Sequence, residues 1–519
     1  MTASARSRAK KSTRATASSK NSPTSKGTLA LLTAALATIT ALSGWWFHHQ
    51  GQSLWYGDAE AHLNIARRIV DSKTPGYEQI GTVWLPLLHW LLIPLARIDQ
   101  FWQSGLAGTI TSGVCLVVAA LFAFALARMS FKSEAAGAAA ALALVLNPNL
   151  LYLSSAPMTE PLFFACEIGL AAAVVWFAQS GKWVAVVLAG LAGCAGTLVR
   201  YDGWVLLPVA ALAIAISGRR WGPFLTFCLV AGLGPSYWLV HNRWFYSSWL
   251  EFYNGPYSAM AIQGDKPYPG RGDWQLAFLQ VRTAAELCAG WGVLIAAGLG
   301  LIGVVMKRTG WGFLLLATVP LFYVSSVHSG GTPIFVPGLW PNSYYNTRYG
   351  LAILPLAAFC AAGLVSVIPW RAAALMVTLL LSIAPWVAYP RQDNWVVWKE
   401  AQVNSAARRL WTTGARDFLR NEYRRGDQLM VSFGDLSGIL RTSGIPFRNC
   451  YHEGNGLIFD ATLARPDLFL RAKWVIARAG DRVSNMARSQ KLECVRIVEV
   501  PGQAALEIFR RKSDFIEPK

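Results

Sequence analysis

The sequence predicts a polytopic α-helical membrane protein of about eleven spans, followed by an extracytoplasmic α/β domain. Three observations carry this. Of 519 residues, 54% are hydrophobic and only 14% charged, whereas soluble chains place about a quarter of their residues in Asp, Glu, Lys and Arg. The apolar residues gather in long runs between residues 28 and 389. Beyond 389 the composition turns soluble, with 22 Lys or Arg and 15 Asp or Glu in residues 390–519.

The net charge of +19 invites a nucleic-acid partner, but its distribution argues against one. Residues 1–27 hold seven Lys or Arg and no acid directly before the first apolar run, which is the positive-inside pattern of a cytoplasmic end. The rest of this tail is too poor in large apolar groups to fold, so it reads as disordered. The run 28–47 is about long enough to cross a bilayer, and no small-residue cleavage site precedes Trp45 and Trp46. It reads as a signal anchor rather than a cleaved leader.

Further runs lie at 105–127, 135–153, 161–178, 183–199, 203–217, 222–241, 284–306, 311–327, 350–368 and 371–389. A twelfth window, 83–98, contains Pro86, His89 and Pro94 and is short for a crossing. If 83–98 lies in the outer interface, the basic connections at Arg128, Lys132, Lys182, Arg219, Arg220, Lys307, Arg308 and Arg371 all share the side of the basic tail; if it crosses, all of them move outside. The charge rule selects the first arrangement. The protein is then an integral plasma-membrane protein with a cytoplasmic N-terminus and an extracytoplasmic C-terminal domain. Of the 13 acids between residues 28 and 389, all but Glu134 and Glu167 fall on or near the outer face.

Residues 390–519 alternate strand-like runs (428–433, 474–477, 494–500) with helix-like stretches (403–424, 466–471, 482–491), as a small α/β domain does. Cys450 and Cys494 lie in this region, where an oxidising compartment would permit a disulfide. No zinc-ligand spacing and no internal repeat stand out.

Four junctions carry candidate chemistry. The first is Trp55-Tyr56-Gly57-Asp58-Ala59-Glu60-Ala61-His62, where Asp58 opens a helix along the membrane surface. As an N-cap, Asp58 would accept orphan backbone N–H groups, and a carboxylate so held also stays ionised as a general base must. The second is Thr159-Glu160-Pro161: an acid at the mouth of an apolar helix marks a functional site, or simply a helical first turn. The third is Arg200-Tyr201-Asp202, whose charges bind substrate or pair with each other in the headgroup layer. The fourth is Tyr344-Tyr345-Asn346-Thr347-Arg348, where the arginine suits a phosphate or anchors to headgroups.

Asp58 leading a surface helix after the first span, the Pro-rich stretch Trp84-Leu85-Pro86-Leu87-Leu88-His89-Trp90-Leu91, and Glu160 after the third span together resemble the GT-C superfamily of membrane glycosyltransferases. Within it the chain looks like the lipid A aminoarabinose transferase and protein O-mannosyltransferase branches, with the oligosaccharyltransferase catalytic subunit more distant. The resemblance implies a sugar donor on polyprenyl phosphate, no obligatory cofactor, and an extracytoplasmic acceptor: lipid, polysaccharide or protein. It places Asp58 and Glu160 as the catalytic acids and Arg348 near the donor phosphate. Asp58-Ala59-Glu60 departs from the adjacent Asp-Glu of many members and is spaced like the Asp-x-Asp of the oligosaccharyltransferases.

The residues support that chemistry on their own account. Transfer from a sugar phosphate needs the acceptor deprotonated, both reactants aligned and the departing phosphate neutralised. Asp58 is the expected base, and Glu160 would orient the acceptor or hold a cation. Glu60, His62, Arg200, Asp202, Tyr345 and Arg348 are the expected substrate-binding set. No dedicated metal ligand is assigned, although Asp58, Glu60 and Glu160 would hold a divalent cation if they converged. The competing class is a transporter or flippase, for which Glu167 is the one buried acid inside a span.

Overall fold

A computed structural model describes residues 26–511; the basic tail expected before the first span lies outside the described residues. The apolar runs fold as helices because their residues are apolar all round, and a backbone inside lipid must satisfy its own hydrogen bonds. Among the described residues, seven helices are long and apolar enough to cross a membrane, or up to nine if each of two bent pairs counts as one span. The other two expected spans are shorter apolar helices, Trp183–Thr197 and Asp202–Gly218.

The expectation of uninterrupted spans fails in two places. The run 135–153 breaks between Glu134–Val145 and Pro148–Ser154 at 68°, and the run 284–306 breaks between Trp274–Ala289 and Trp291–Met306 at 105°. The breaks are pinned to one another. Asn147 Nδ2 donates to the Cys288 and Ala289 carbonyls, and Asn149 Nδ2 donates to Cys288 O at 3.0 Å. Side-chain amides thus satisfy carbonyls that the second break releases.

The window 83–98 contributes the helix Leu87–Ala96. Ten residues rise about 15 Å, half of a hydrocarbon core of roughly 30 Å, so by length this helix does not cross. The helix expected after the first span forms at Gly57–Val70.

The C-terminal domain is α/β as predicted. Its five strands are β1 (Leu429–Val431), β2 (Cys450–Tyr451), β3 (Trp474–Arg478), β4 (Glu493–Val498) and β5 (Leu506–Arg510). They are ordered β2-β1-β3-β5-β4, parallel across the first three and antiparallel across the rest. This order separates the expected cysteine pair. Cys450 sits on one edge strand and Cys494 on the other, four strand spacings or about 19 Å apart, beyond the reach of a disulfide. Both thiols are free.

The connection 390–404 does not fold with that sheet. Helix Val396–Asn404 packs on the bundle, with Val397 N donating to Asn149 Oδ1 at 3.0 Å and Trp398 Nε1 to Gln52 Oε1 at 2.8 Å.

Candidate active site

Three sharp junctions and one loop helix bring the predicted acids and arginines together. Asp58 and Glu160 stand in the first turns of Gly57–Val70 and Thr159–Ser180. Arg200 and Asp202 straddle the turn between Trp183–Thr197 and Asp202–Gly218. A Cβ on Gly203 would sit 2.6 Å from the Gly196 backbone, so only glycine lets the two helix ends approach this closely. Arg348 lies in the 3₁₀ segment Thr347–Ile353, seated against Trp274–Ala289 where a Cβ on Gly350 would meet Ala284 backbone at 2.2 Å.

Arg348 is the hub. Its Nη2 donates to Asp58 Oδ2, its Nε to Glu160 Oε1 at 3.1 Å, and its Nη1 lies 3.7 Å from Glu400 Oε1. Its backbone N–H also donates to Glu400 Oε2 at 3.1 Å. Arg200 is the second cation: Nη1 reaches Glu160 Oε1 at 3.3 Å and Thr159 Oγ1 at 2.8 Å, Nε reaches Asp202 Oδ2 at 2.9 Å, and Nη2 donates to Tyr323 OH at 2.7 Å. Tyr323 OH in turn donates to Asp202 Oδ2 at 2.5 Å. The Arg348 guanidinium lies over the rings of Tyr56 and Tyr349, and that of Arg200 over Tyr349. Glu160, Phe163, Arg200, Asp202, Tyr323 and Arg348 are among the lining of a small cleft here.

Four carboxylates therefore share two guanidiniums, and they differ in access. The side chains of Glu160 and Glu400 are 5% and 1% exposed, while that of Asp58 is 42% exposed. Burial raises the Glu400 carboxyl above its ordinary value although Arg348 opposes the shift. Asp58 is the most open of the four.

The structure revises several expectations for single residues. Asp58 is not an N-cap: Tyr56 holds that position without a side-chain bond, and the carboxylate turns to Arg348 instead. Arg348 does not anchor to headgroups, because it is buried among acids. Arg200 and Asp202 pair as the simpler reading held, yet the same arginine also holds Glu160.

Glu60 does not join Asp58. Residues two apart lie on nearly opposite faces of a helix, and Glu60 faces the C-terminal domain, where Arg441 binds it at 2.7 and 3.0 Å. Burial alone would raise its carboxyl, but the Arg441 guanidinium outweighs burial and holds it below the ordinary value. Tyr345 also stays apart, half exposed against Phe335.

His62 shares the Asp58 face but bonds to His89, Nδ1 to Nε2 at 2.9 Å, both rings buried. Burial first, then the charges of Arg348 and Arg200, push His62 down to about 3, so it is neutral at working pH. The unfolded chain binds a proton there below about pH 6.5 and the folded chain does not. Stability is therefore full above that pH and declines as pH falls toward 3, by up to about 1.4 kcal/mol per pH unit for the group. Thermal unfolding in nanodiscs between pH 7.5 and 5 is expected to show this decline and to lose part of it in His62→Gln; an unchanged slope would exclude the buried neutral pair.

Tyr56, Tyr323, Tyr349 and Glu400 complete the site, and none of the four belongs to the set expected from sequence. Glu400 lies past the last apolar run in a segment of soluble composition, and no local pattern points to it. Tyr349 adjoins Arg348 and is within reach of the same motif. Glu167, the buried acid inside a span, is 1% exposed with neither carboxylate oxygen hydrogen-bonded, and no guanidinium faces it among the described residues. The convergence of Asp58, Glu60 and Glu160 on a cation is not formed, and among the described residues no group of three His, Cys, Asp or Glu is placed to hold a metal.

Residues 85–238 match the family model described as dolichyl-phosphate-mannose-protein mannosyltransferase. ArnT from Cupriavidus metallidurans in the apo state is similar in structure at a TM-score of 0.55 and 12% identity, over 93% of this chain and 98% of that one. The same protein bound to undecaprenyl phosphate gives 0.53 and 12% over the same shares. The apo oligosaccharyltransferase of Archaeoglobus fulgidus is less alike, at 0.46 and 10%, over 86% of this chain and 69% of that one. No protein of curated function matches the sequence. The fold is like that of ArnT over nearly the whole chain, and the sequence likeness to the mannosyltransferase model spans residues 85–238.

Proposed function

We propose that this chain, a membrane protein of GT-C fold, transfers a sugar from a polyprenyl-phosphate carrier to an acceptor hydroxyl or amine outside the cytoplasm. The observation that carries the reading is the shared guanidinium: one arginine, Arg348, joins the open carboxylate of Asp58 to the buried carboxylate of Glu160. That ArnT is found bound to undecaprenyl phosphate supports the class of donor.

In this mechanism the donor phosphate takes N–H groups of Arg348 and Arg200, which offer planar, fixed donors to an oxyanion. Drawing Arg348 toward the phosphate loosens its hold on Asp58. The freed carboxylate accepts the acceptor proton while the acceptor oxygen or nitrogen bonds to the anomeric carbon, and the carbon–oxygen bond to phosphate breaks with its electron pair leaving on the phosphate. Glu160, fixed by both arginines, holds their geometry during the charge shift.

The test is sugar release from radiolabelled polyprenyl-phosphate monosaccharides by purified protein in nanodiscs, with and without EDTA. Release with inverted anomeric configuration is expected, unchanged by EDTA because Glu160, Asp202 and Glu400 stay paired with arginines and the freed Asp58 alone makes no cation site. A retained product would overturn the single displacement. Loss of release in EDTA would show that a cation enters with substrate. No release from any donor, with envelope acceptors supplied, would favour a transporter.

A further inference from the structure

Parallel α/β sheets bind ligands at the carboxyl ends of their strands, in the crevice where the strand order reverses. Here β1 is flanked by β2 on one side and β3 on the other, so the reversal lies between the ends of β1 and β3, with the segment leaving β1 on its rim. The segments leaving that end do not face open solvent. Phe433, two residues past β1, lies beneath the Arg68 guanidinium at 5.3 Å. Asn455, just past β2, donates to Ser72 Oγ at 3.0 Å, and Gln79 Nε2 donates to Gly454 O at 2.7 Å. Arg68, Ser72 and Gln79 all belong to the first loop of the membrane domain, the loop that carries Asp58.

The same loop helix is gripped along its length. In its first turn, Arg441 binds both oxygens of Glu60, two residues from Asp58, and its Nη1 donates to Gln103 O, tying in the helix Asp99–Ser104. Glu60 is 4% exposed and Arg441 8%. At the far end Arg448 Nη1 meets Asp71 Oδ1 at 3.0 Å, and Asp71 also holds Arg67. Just before it, Arg408 Nη2 donates to the Trp55 carbonyl and Arg409 lies over the Trp55 ring at 4.4 Å.

We infer that the C-terminal domain is a positioning device for the catalytic loop: it grips the Asp58 helix with its ligand-binding edge, and Arg441, through Glu60, is the positioning residue that fixes where the Asp58 carboxylate stands. The inference rests on the transferase reading for the role of Asp58. An ion pair buried on one face of a helix sets that helix's rotation, and rotation moves the opposite face, where Asp58 meets Arg348. The donor-phosphate arginines come from other elements and keep their remaining partners when Asp58 shifts, Glu160 and Glu400 for Arg348, Glu160 and Asp202 for Arg200. The pair therefore governs turnover and leaves donor binding alone.

The full-length protein in nanodiscs tests this with kcat and donor KM. Arg441→Met is expected to lower kcat about 100-fold, the loss that a displacement near 1 Å produces, with donor KM within about twofold. Arg441→Lys keeps a single contact and is expected to recover part of the rate. Arg448→Met removes a side chain that is 62% exposed and leaves the buried Asp71 paired with Arg67, and is expected to lower kcat about threefold at unchanged KM. Arg510→Met, on β5 next to the opposite edge strand β4, is expected to leave both constants unchanged. Amide exchange over residues 57–70 is expected to rise in Arg441→Met and in Arg448→Met. The inference is overturned if Arg441→Met keeps its rate, if KM rises in step with the loss, or if Arg441→Met loses the folded C-terminal domain while Arg448→Met is indistinguishable from wild type. A wild-type protein without turnover would overturn the transferase reading instead, and exchange over 57–70 would then decide the docking separately.

Discussion

Replacing Asp58 with Asn is expected to slow sugar transfer by about 1,000-fold or more, within the range that loss of a general base produces. The substitution keeps the shape and removes only the charge that accepts a proton. The fold is expected to survive, because the Asp58 side chain is 42% exposed and a pair so open to water is worth about 1 kcal/mol or less. Arg348 keeps Glu160 and Glu400 as partners. The measurement is single-turnover transfer beside thermal unfolding of the same sample. An Asp58→Asn protein that turns over at the wild-type rate would remove Asp58 from the chemistry and leave Glu160 as the remaining predicted acid, a poor base while two arginines hold it.

The second large effect belongs to Arg348. Arg348→Met removes the cation that joins three carboxylates and leaves Glu400 with Tyr56 as its side-chain partner. Removing one member of a buried ion pair costs about 3–5 kcal/mol, because the other charge stays buried and unpaired. Both stability and transfer are expected to fall: unfolding moves down by several degrees, donor KM rises, and turnover drops by about 100-fold or more, as loss of a preorganised charge at the departing group does. This differs from Asp58→Asn, where stability stays. Arg348→Lys is expected to restore little, since a lysine ammonium offers no planar fork to span Asp58 and Glu160. A stable, active Arg348→Met protein would mean that the hub is dispensable and that the phosphate is held elsewhere.

The site is legible in the sequence where chemistry and polarity conflict. Glu160, Arg200, Asp202 and Arg348 each border an apolar run, where a charge is costly without a purpose, and Asp58 stands out as the acid opening the loop helix after the first span. Three misplacements have separate causes. Sequence proximity groups Glu60 with Asp58, although helical geometry turns two such residues apart. It also groups Tyr345 with Arg348, but the chain turns at Asn346, which has a left-handed φ of 53°, and the tyrosine that reaches the cluster is Tyr349. His62 lies one turn from Asp58, yet His89 supplies a nearer partner.

The class of protein, the helical runs, the soluble α/β region and the set of boundary charges can all be read from the amino acids, because they follow from hydropathy and local periodicity. Which charges meet is a matter of packing. Arg348 and Asp58 are separated by 290 residues, and Arg348 and Glu160 by 188; their meeting depends on how the helices pack and where they break. The same holds for Glu400, which enters the site because Asn149 and Gln52 pin its helix to the bundle. Cys450 and Cys494 stay apart because the strand order assigns them opposite edges. Local pattern tells a residue which element it belongs to, while the partner of a buried charge is settled by whichever opposite charge the packed chain brings within reach.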